Sequence, residues 1–161
     1  REIAALGADP DNRLACLVMG TNDLLKESRA PALHNRAPVV PLPGLALVAA
    51  RAYGLVILDG VYNDIKDEKG FEAVCRQGAE MGFDGKTLIH PSQVGPCNTI
   101  FSPDPETVAF ARKTIEAFEQ PENKGKGVLK VDGRMVEILH ADIARRTVAI
   151  ADAIAELERA G

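Results

Sequence analysis

Leu14-Ala15-Cys16-Leu17-Val18-Met19 is an unbroken apolar run that stops at Gly20. Apolarity that is continuous rather than alternating indicates a strand covered on both faces, the pattern of a parallel sheet. Two further runs repeat it: Leu55-Val56-Ile57-Leu58, ending at Asp59-Gly60, and Thr87-Leu88-Ile89, ending at His90-Pro91. Helical patterns lie between them. Leu45 to Tyr53 is rich in Ala and closes at Gly54, and residues 67–82 carry Phe71, Val74, Cys75 and Met81 near one face with Gly82 as the stop. Strands joined through helices pair in parallel with right-handed crossovers. The chain reads as an α/β protein.

Outward from these runs, residues 2–8 look like the tail of a helix closed by Gly7, and Thr21 to Leu25 like a short helical turn. Residues 28–44 hold Pro31, Pro38, Pro41 and Pro43 together with His34, Asn35 and Arg36, a long loop of the kind that usually carries function. His34 and Arg36 are candidates to reach an anionic substrate, although the prolines explain the loop equally well. Asp64 and Asp67 read as surface or helix-cap residues. Asp104 caps a helix that has Pro105 at its first position and runs to about Phe118. After a polar loop at 120–127, Val128–Val131 and Met135–Ile138 flank Asp132-Gly133, a strong hairpin signal. His140 to Arg159 forms a final amphipathic helix. The organisation expected is a β/α part over residues 1–119 and a hairpin-and-helix extension over residues 120–161.

Composition narrows the function classes. Of 161 residues, 46% are hydrophobic and 26% charged, which excludes a disordered or fibrous chain. The net charge of −4, with no basic stripe, argues against a nucleic-acid partner. No apolar run approaches the roughly 20 residues of a membrane-spanning helix. The charged opening Arg1-Glu2-Ile3 is unlike a signal peptide. Cys16, Cys75 and Cys97 are an odd count without C-x-x-C spacing and read as buried free thiols. A cytoplasmic location follows as an expectation. There is neither a Gly-rich phosphate loop with Lys-Ser/Thr nor a G-x-S-x-G elbow, so ATPase and serine-hydrolase readings have no support.

Three polar positions fall just past the strand ends: Asp23, Asp59 and His90. In parallel sheets and barrels these ends share one face, where ligands bind. Two carboxylates near one mouth suit a hard cation such as Mg²⁺ better than zinc. Asp59-Gly60 also reads as a plain turn, and His90 before Pro91 as a structural histidine.

The segment Gly82-Phe83-Asp84-Gly85-Lys86-Thr87-Leu88-Ile89-His90-Pro91-Ser92-Gln93-Val94 resembles a signature of the citrate lyase β-subunit/malyl-CoA lyase family, a branch of the HpcH/HpaI aldolases. Agreement continues through Asn98, Phe101-Ser102-Pro103 and Ala111-Arg112. Gly20-Thr21-Asn22-Asp23-Leu24 resembles the family's Gly-x-x-Asp-Leu, Leu58-Asp59-Gly60 its next strand end, and Asp132-Gly133-Arg134-Met135-Val136-Glu137 its C-terminal hairpin. The resemblance spans nearly the whole chain, in order.

It implies a TIM (β/α)8 barrel enzyme that cleaves or forms C–C bonds in 3-hydroxyacyl-CoA thioesters. Mg²⁺ would be held at the Asp23 position and by a Glu one strand earlier, and would polarise a carbonyl of malate or glyoxylate. Ile89, His90 and Pro91 would lie beside coenzyme A, and Glu137 would be the acid/base carboxylate, supplied by a neighbouring subunit of a homo-oligomer. A full barrel takes about 250 residues. The three runs match the sixth to eighth strands, so the chain looks like the C-terminal part of an enzyme, with the family's early-strand Arg and metal-ligating Glu upstream of Arg1. Glu137 stands where the family usually has Asp. Its extra methylene moves the carboxylate by about one bond length, and a 1 Å misplacement can cost about 100-fold. As an alternative it is a strand-end surface charge. Three functions are therefore weighed: a malyl-CoA-type lyase, a malyl-CoA thioesterase on the same scaffold, and a catalytically incomplete fragment acting through assembly.

Overall fold

The computed structural model describes residues 2–9, 11–31, 36–37 and 39–160. Helix α1 (Glu2–Ala5) continues into a 3-10 turn and leads to strand β1 (Cys16–Val18). Then come α2 (Thr21–Ser28), α3 (Pro41–Ala52), β2 (Val56–Asp59), α4 (Glu68–Met81) and β3 (Gly85–Lys86). A 3-10 turn (Pro91–Gln93) opens α5 (Val94–Phe101). It is followed by α6 (Pro105–Glu119), β4 (Val128–Val131), β5 (Arg134–Glu137) and α7 (Ile138–Ala160).

The protein is α/β, with the three strands parallel in the order β1-β2-β3. Leu17 pairs with Ile57 and Asp59 with Lys86, which sets one face of the sheet. Ile57 is fully buried on that face among Ala4, Ala50, Leu55 and Phe83, with Leu14, Leu17 and Met19 packed around them. Burial of such a side chain is worth about 1.5–3 kcal/mol. The other face differs from expectation. Continuous apolarity predicted cover on both sides, yet Val18 is 57% and Val56 43% exposed. The helices of the described residues cover one side only.

The third apolar run is not a strand. β3 is Gly85–Lys86, ahead of the expected Thr87–Ile89. Thr87 makes the last bond to the sheet, its N–H donating to the Asp59 carbonyl at 3.0 Å. Leu88 then packs on Phe71, Cys75 and Cys97. Leu88 is apolar because it lies against helices, while Ile89 is exposed, and nothing local distinguishes this from sheet burial.

Residues 1–101 and 102–161 form two compact units. The division falls ahead of α6, which packs along α7; Ala111 and Thr114 are buried on one helix and Ala141 and Ala144 on the other. Asp104 caps α6 as expected, accepting the Thr107 N–H at 2.9 Å. The hairpin turns on Asp132 and Gly133, both with positive φ (46° and 82°), a conformation that Gly and Asp tolerate. Its second strand is Arg134–Glu137, one residue earlier than expected.

Candidate functional site

Asp23 is the third residue of α2, directly after β1, and is exposed. A Cβ on Gly20 would lie 3.1 Å from its Oδ2, so the carboxylate folds back over the helix start, where the helix dipole favours negative charge. The turn beneath it is pressed against the end of β2. A Cβ on Gly60 would meet Thr21 Oγ1 at 2.4 Å and the Met19 carbonyl at 2.7 Å. Only glycine lets the two strand ends approach so closely.

A hydrogen bond joins the same loops. The Asn63 amide donates to Asn22 Oδ1 at 2.7 Å, next to Asp23. Tyr62, before Asn63, donates its hydroxyl to Asp67 Oδ2 at 2.6 Å. Asp67 in turn caps α4 by accepting the Gly70 N–H at 3.0 Å, the cap role expected for it. Burial, then the bond to Asp67, push the Tyr62 phenol up to about 12.

The loop after β3 carries Ile89, His90 and Pro91, all exposed. His90 Nδ1 lies 2.8 Å from Ser92 Oγ and accepts the Ser92 N–H at 3.3 Å, which closes the 3-10 turn. The structural reading of this histidine thus accounts for one ring nitrogen. Gln93 is buried, accepts the Ile89 N–H at 3.1 Å and donates to the Tyr62 carbonyl at 3.1 Å. Asp23, Asn63 and the 89–91 segment therefore sit on three linked strand-end loops of one unit.

Asp59 does not join them. It lies on the covered face of the sheet, fully buried, with a Cβ on Gly78 of α4 only 3.0 Å from its Oδ2. Arg36 Nη1 donates to both of its oxygens at 2.7 and 2.9 Å, and Lys86 Nζ to Oδ2 at 3.0 Å. Lys86 also donates to the Gly60 carbonyl. Burial pulls the Lys86 ammonium below its ordinary range, and Asp59 opposes this. Asp59 is therefore a fold residue and no part of a metal pair at the mouth. Arg36 is likewise engaged, with Asp59 and with Gln77 Oε1 at 2.8 and 3.0 Å, and does not reach out for a substrate anion. His34 lies outside the described residues.

Glu137 belongs to the other unit, exposed at the end of β5, where its backbone N–H donates to His140 Nδ1 at 2.8 Å. Cys16, Cys75 and Cys97 are free thiols, Cys75 and Cys97 buried and Cys16 partly so. A hydrogen bond to Cys97, then burial, push the Cys75 thiol up. A hard dication takes oxygen ligands, and Asp23 is of that kind. No three acidic, histidine or cysteine side chains gather at one point among the described residues. Asp23 alone does not make a metal centre. No helix of the described residues is long and apolar enough to cross a membrane.

Sequence reasoning passed over Gln93, Asn63 and Lys86. The one available signal was Lys86, a cation immediately before an apolar run.

A family model described as HpcH/HpaI aldolase/citrate lyase matches residues 1–91, which hold β1, β2, β3 and the strand-end loops as far as Pro91. The chain belongs to this family. It is 52% identical over 152 residues to a (3S)-malyl-CoA thioesterase of Cereibacter sphaeroides, covering 94% of this chain and 53% of that protein. It is 34% identical over 143 residues to the mitochondrial citramalyl-CoA lyase of Homo sapiens, covering 89% of this chain and 42% of that protein. The chain thus spans about half the length of the curated relatives it matches. Among solved structures, CitE of Mycobacterium tuberculosis, in complex with magnesium, acetoacetate and coenzyme A, superimposes with a TM-score of 0.63 at 28% identity, covering 91% of this chain and 55% of that one. A citrate lyase of Burkholderia xenovorans superimposes with a TM-score of 0.74 at 18% identity over 96% of this chain and 50% of that one, a likeness of fold.

Proposed function

We propose that this family member is the C-terminal part of a (β/α)8 barrel enzyme that acts on a malyl-type 3-hydroxyacyl-CoA thioester. The observation that carries the reading is that the strand-end loops bearing Asp23 and Ile89–Pro91 are both fastened to the loop between them, after β2, at the strand ends where barrel chemistry gathers. The exposed faces of Val18 and Val56 support the barrel, because side chains from further strands would fill that side.

Asp23 contributes one carboxylate to Mg²⁺, which when bound polarises a carbonyl as a Lewis acid. The segment Ile89–Pro91 holds the coenzyme A portion. Glu137, from a neighbouring subunit of a homo-oligomer, is the acid/base carboxylate. In C–C cleavage the proton of the 3-hydroxyl leaves to a base as the carbon–carbon bond breaks. Glyoxylate departs, and the acetyl-CoA enolate takes a proton at carbon. In hydrolysis, water adds to the thioester carbonyl and the CoA sulfur leaves with a proton.

The lyase was the first expectation, and the citramalyl-CoA lyase and citrate lyase relatives support it. Hydrolysis is favoured by 52% identity to a (3S)-malyl-CoA thioesterase. The complete enzyme, incubated with malyl-CoA and Mg²⁺, separates them. Glyoxylate with acetyl-CoA means lyase, and malate with free CoA means thioesterase. Consumption without either pair, or no consumption, overturns the reading.

A further inference from the structure

Gln93 is only 3% exposed, yet its amide is used at both ends. Oε1 accepts the Ile89 N–H and Nε2 donates to the Tyr62 carbonyl, each at 3.1 Å. The two backbone groups lie in different loops, one after β2 and one after β3. By Ile89 the chain has left the sheet, whose last bond is made by Thr87. The side chain of Gln93 is thus the fastening that holds the 89–91 segment at a set distance from the neighbouring loop.

That loop is itself immobilised. The Tyr62 hydroxyl is tied to Asp67, its ring packs on Phe71 at 6.1 Å, and Asn63 bonds Asn22 beside Asp23. A continuous line of contacts therefore runs from the segment assigned to coenzyme A to the loop of the assigned metal ligand. The chemistry of the fastening is specific to an amide. It needs one donor and one acceptor at the end of a two-methylene stem. Glutamate keeps the acceptor and loses the donor, asparagine is too short to serve both groups, and methionine fills the volume with neither.

We propose that Gln93 is a positioning residue for the thioester: it sets the placement of Ile89–Pro91 and with it the grip on the coenzyme A portion. This rests on the assignment of that segment under the proposed function. The test uses the complete enzyme and the variants Gln93→Met, Gln93→Glu and, as the mildest, Gln93→Asn. The readouts are steady-state kinetics with malyl-CoA and Mg²⁺, and titration with coenzyme A alone.

The expected result is a KM for malyl-CoA, and a Kd for coenzyme A, raised about tenfold or more in Gln93→Met. The value of kcat should stay within about threefold, the Mg²⁺ dependence should not change, and Gln93→Asn should fall between. A role in folding alone lowers the active fraction, hence apparent kcat, and leaves KM and Kd where they were. That outcome overturns the proposal, and Gln93→Asn decides it should the other variants fail to fold. Wild-type enzyme that neither binds coenzyme A nor turns over malyl-CoA overturns the site assignment itself, and the role of Gln93 with it.

Discussion

Asp59 and Lys86 face each other across neighbouring parallel strands at 3.0 Å, with both side chains sealed from solvent. Arg36 closes the carboxylate from its other side, so two cations share one buried anion. The group holds together β2, β3, α4 and the residues before α3, and it explains how a lysine is tolerated inside the sheet.

Removing the shared anion should do more harm than removing one cation. Asp59→Asn leaves two neighbouring cations without a counter-charge, and loss of one partner from a buried pair typically costs about 3–5 kcal/mol. Lys86→Met leaves Asp59 still bonded to Arg36 and should cost less. Urea denaturation of the two variants checks the order. Equal midpoints would mean that the anion is worth no more to the fold than one of its two cations.

Gly60→Ala should displace the turn that carries Asp23, because the new methyl meets both the Thr21 side chain and the Met19 carbonyl. A shift near 1 Å at the proposed metal ligand predicts a loss of about 100-fold in kcat of the complete enzyme. Thr21→Ala on that background should restore only part, since the carbonyl contact remains. Unchanged activity of Gly60→Ala would remove the turn from the site.

Tyr62 should titrate late for a phenol. Its pKa is raised in the fold, from 10.0 to about 12, by burial and Asp67. The stability it contributes is complete below about pH 10 and lost as pH rises through about 12. Absorbance titration at the phenolate band should show a midpoint near 12 that disappears in Tyr62→Phe. A wild-type curve already complete by about pH 11 would show that the bond to Asp67 is not kept in solution.

Asp23→Ala in the complete enzyme should abolish Mg²⁺-dependent turnover, and His90→Ala should raise the KM for the CoA thioester with little change in kcat. Both residues are exposed, so melting temperatures should stay near wild type. Retained Mg²⁺-dependent activity would exclude Asp23 as a ligand, and an unaltered KM would leave His90 with its turn-closing role alone.

The amino-acid sequence by itself determined the elements that rest on neighbours a few positions apart. Helix starts at Asp67 and Asp104, the turn at Asp132-Gly133 and the order of strands and helices were legible because caps, turns and apolar periods act over three or four residues. The resemblance drew attention to Asp23 and the 89–91 segment for the same reason: each is a short contiguous pattern. Tertiary structure alone decided which face Asp59 occupies, since a strand shows alternate residues to opposite faces and only pairing register chooses. It also ended β3 at Lys86, turned Leu88 onto helices, and brought Gln93 to Tyr62 across 31 positions. Those outcomes depend on contacts between distant segments. Residue type states what a side chain needs, and packing determines which partner meets the need.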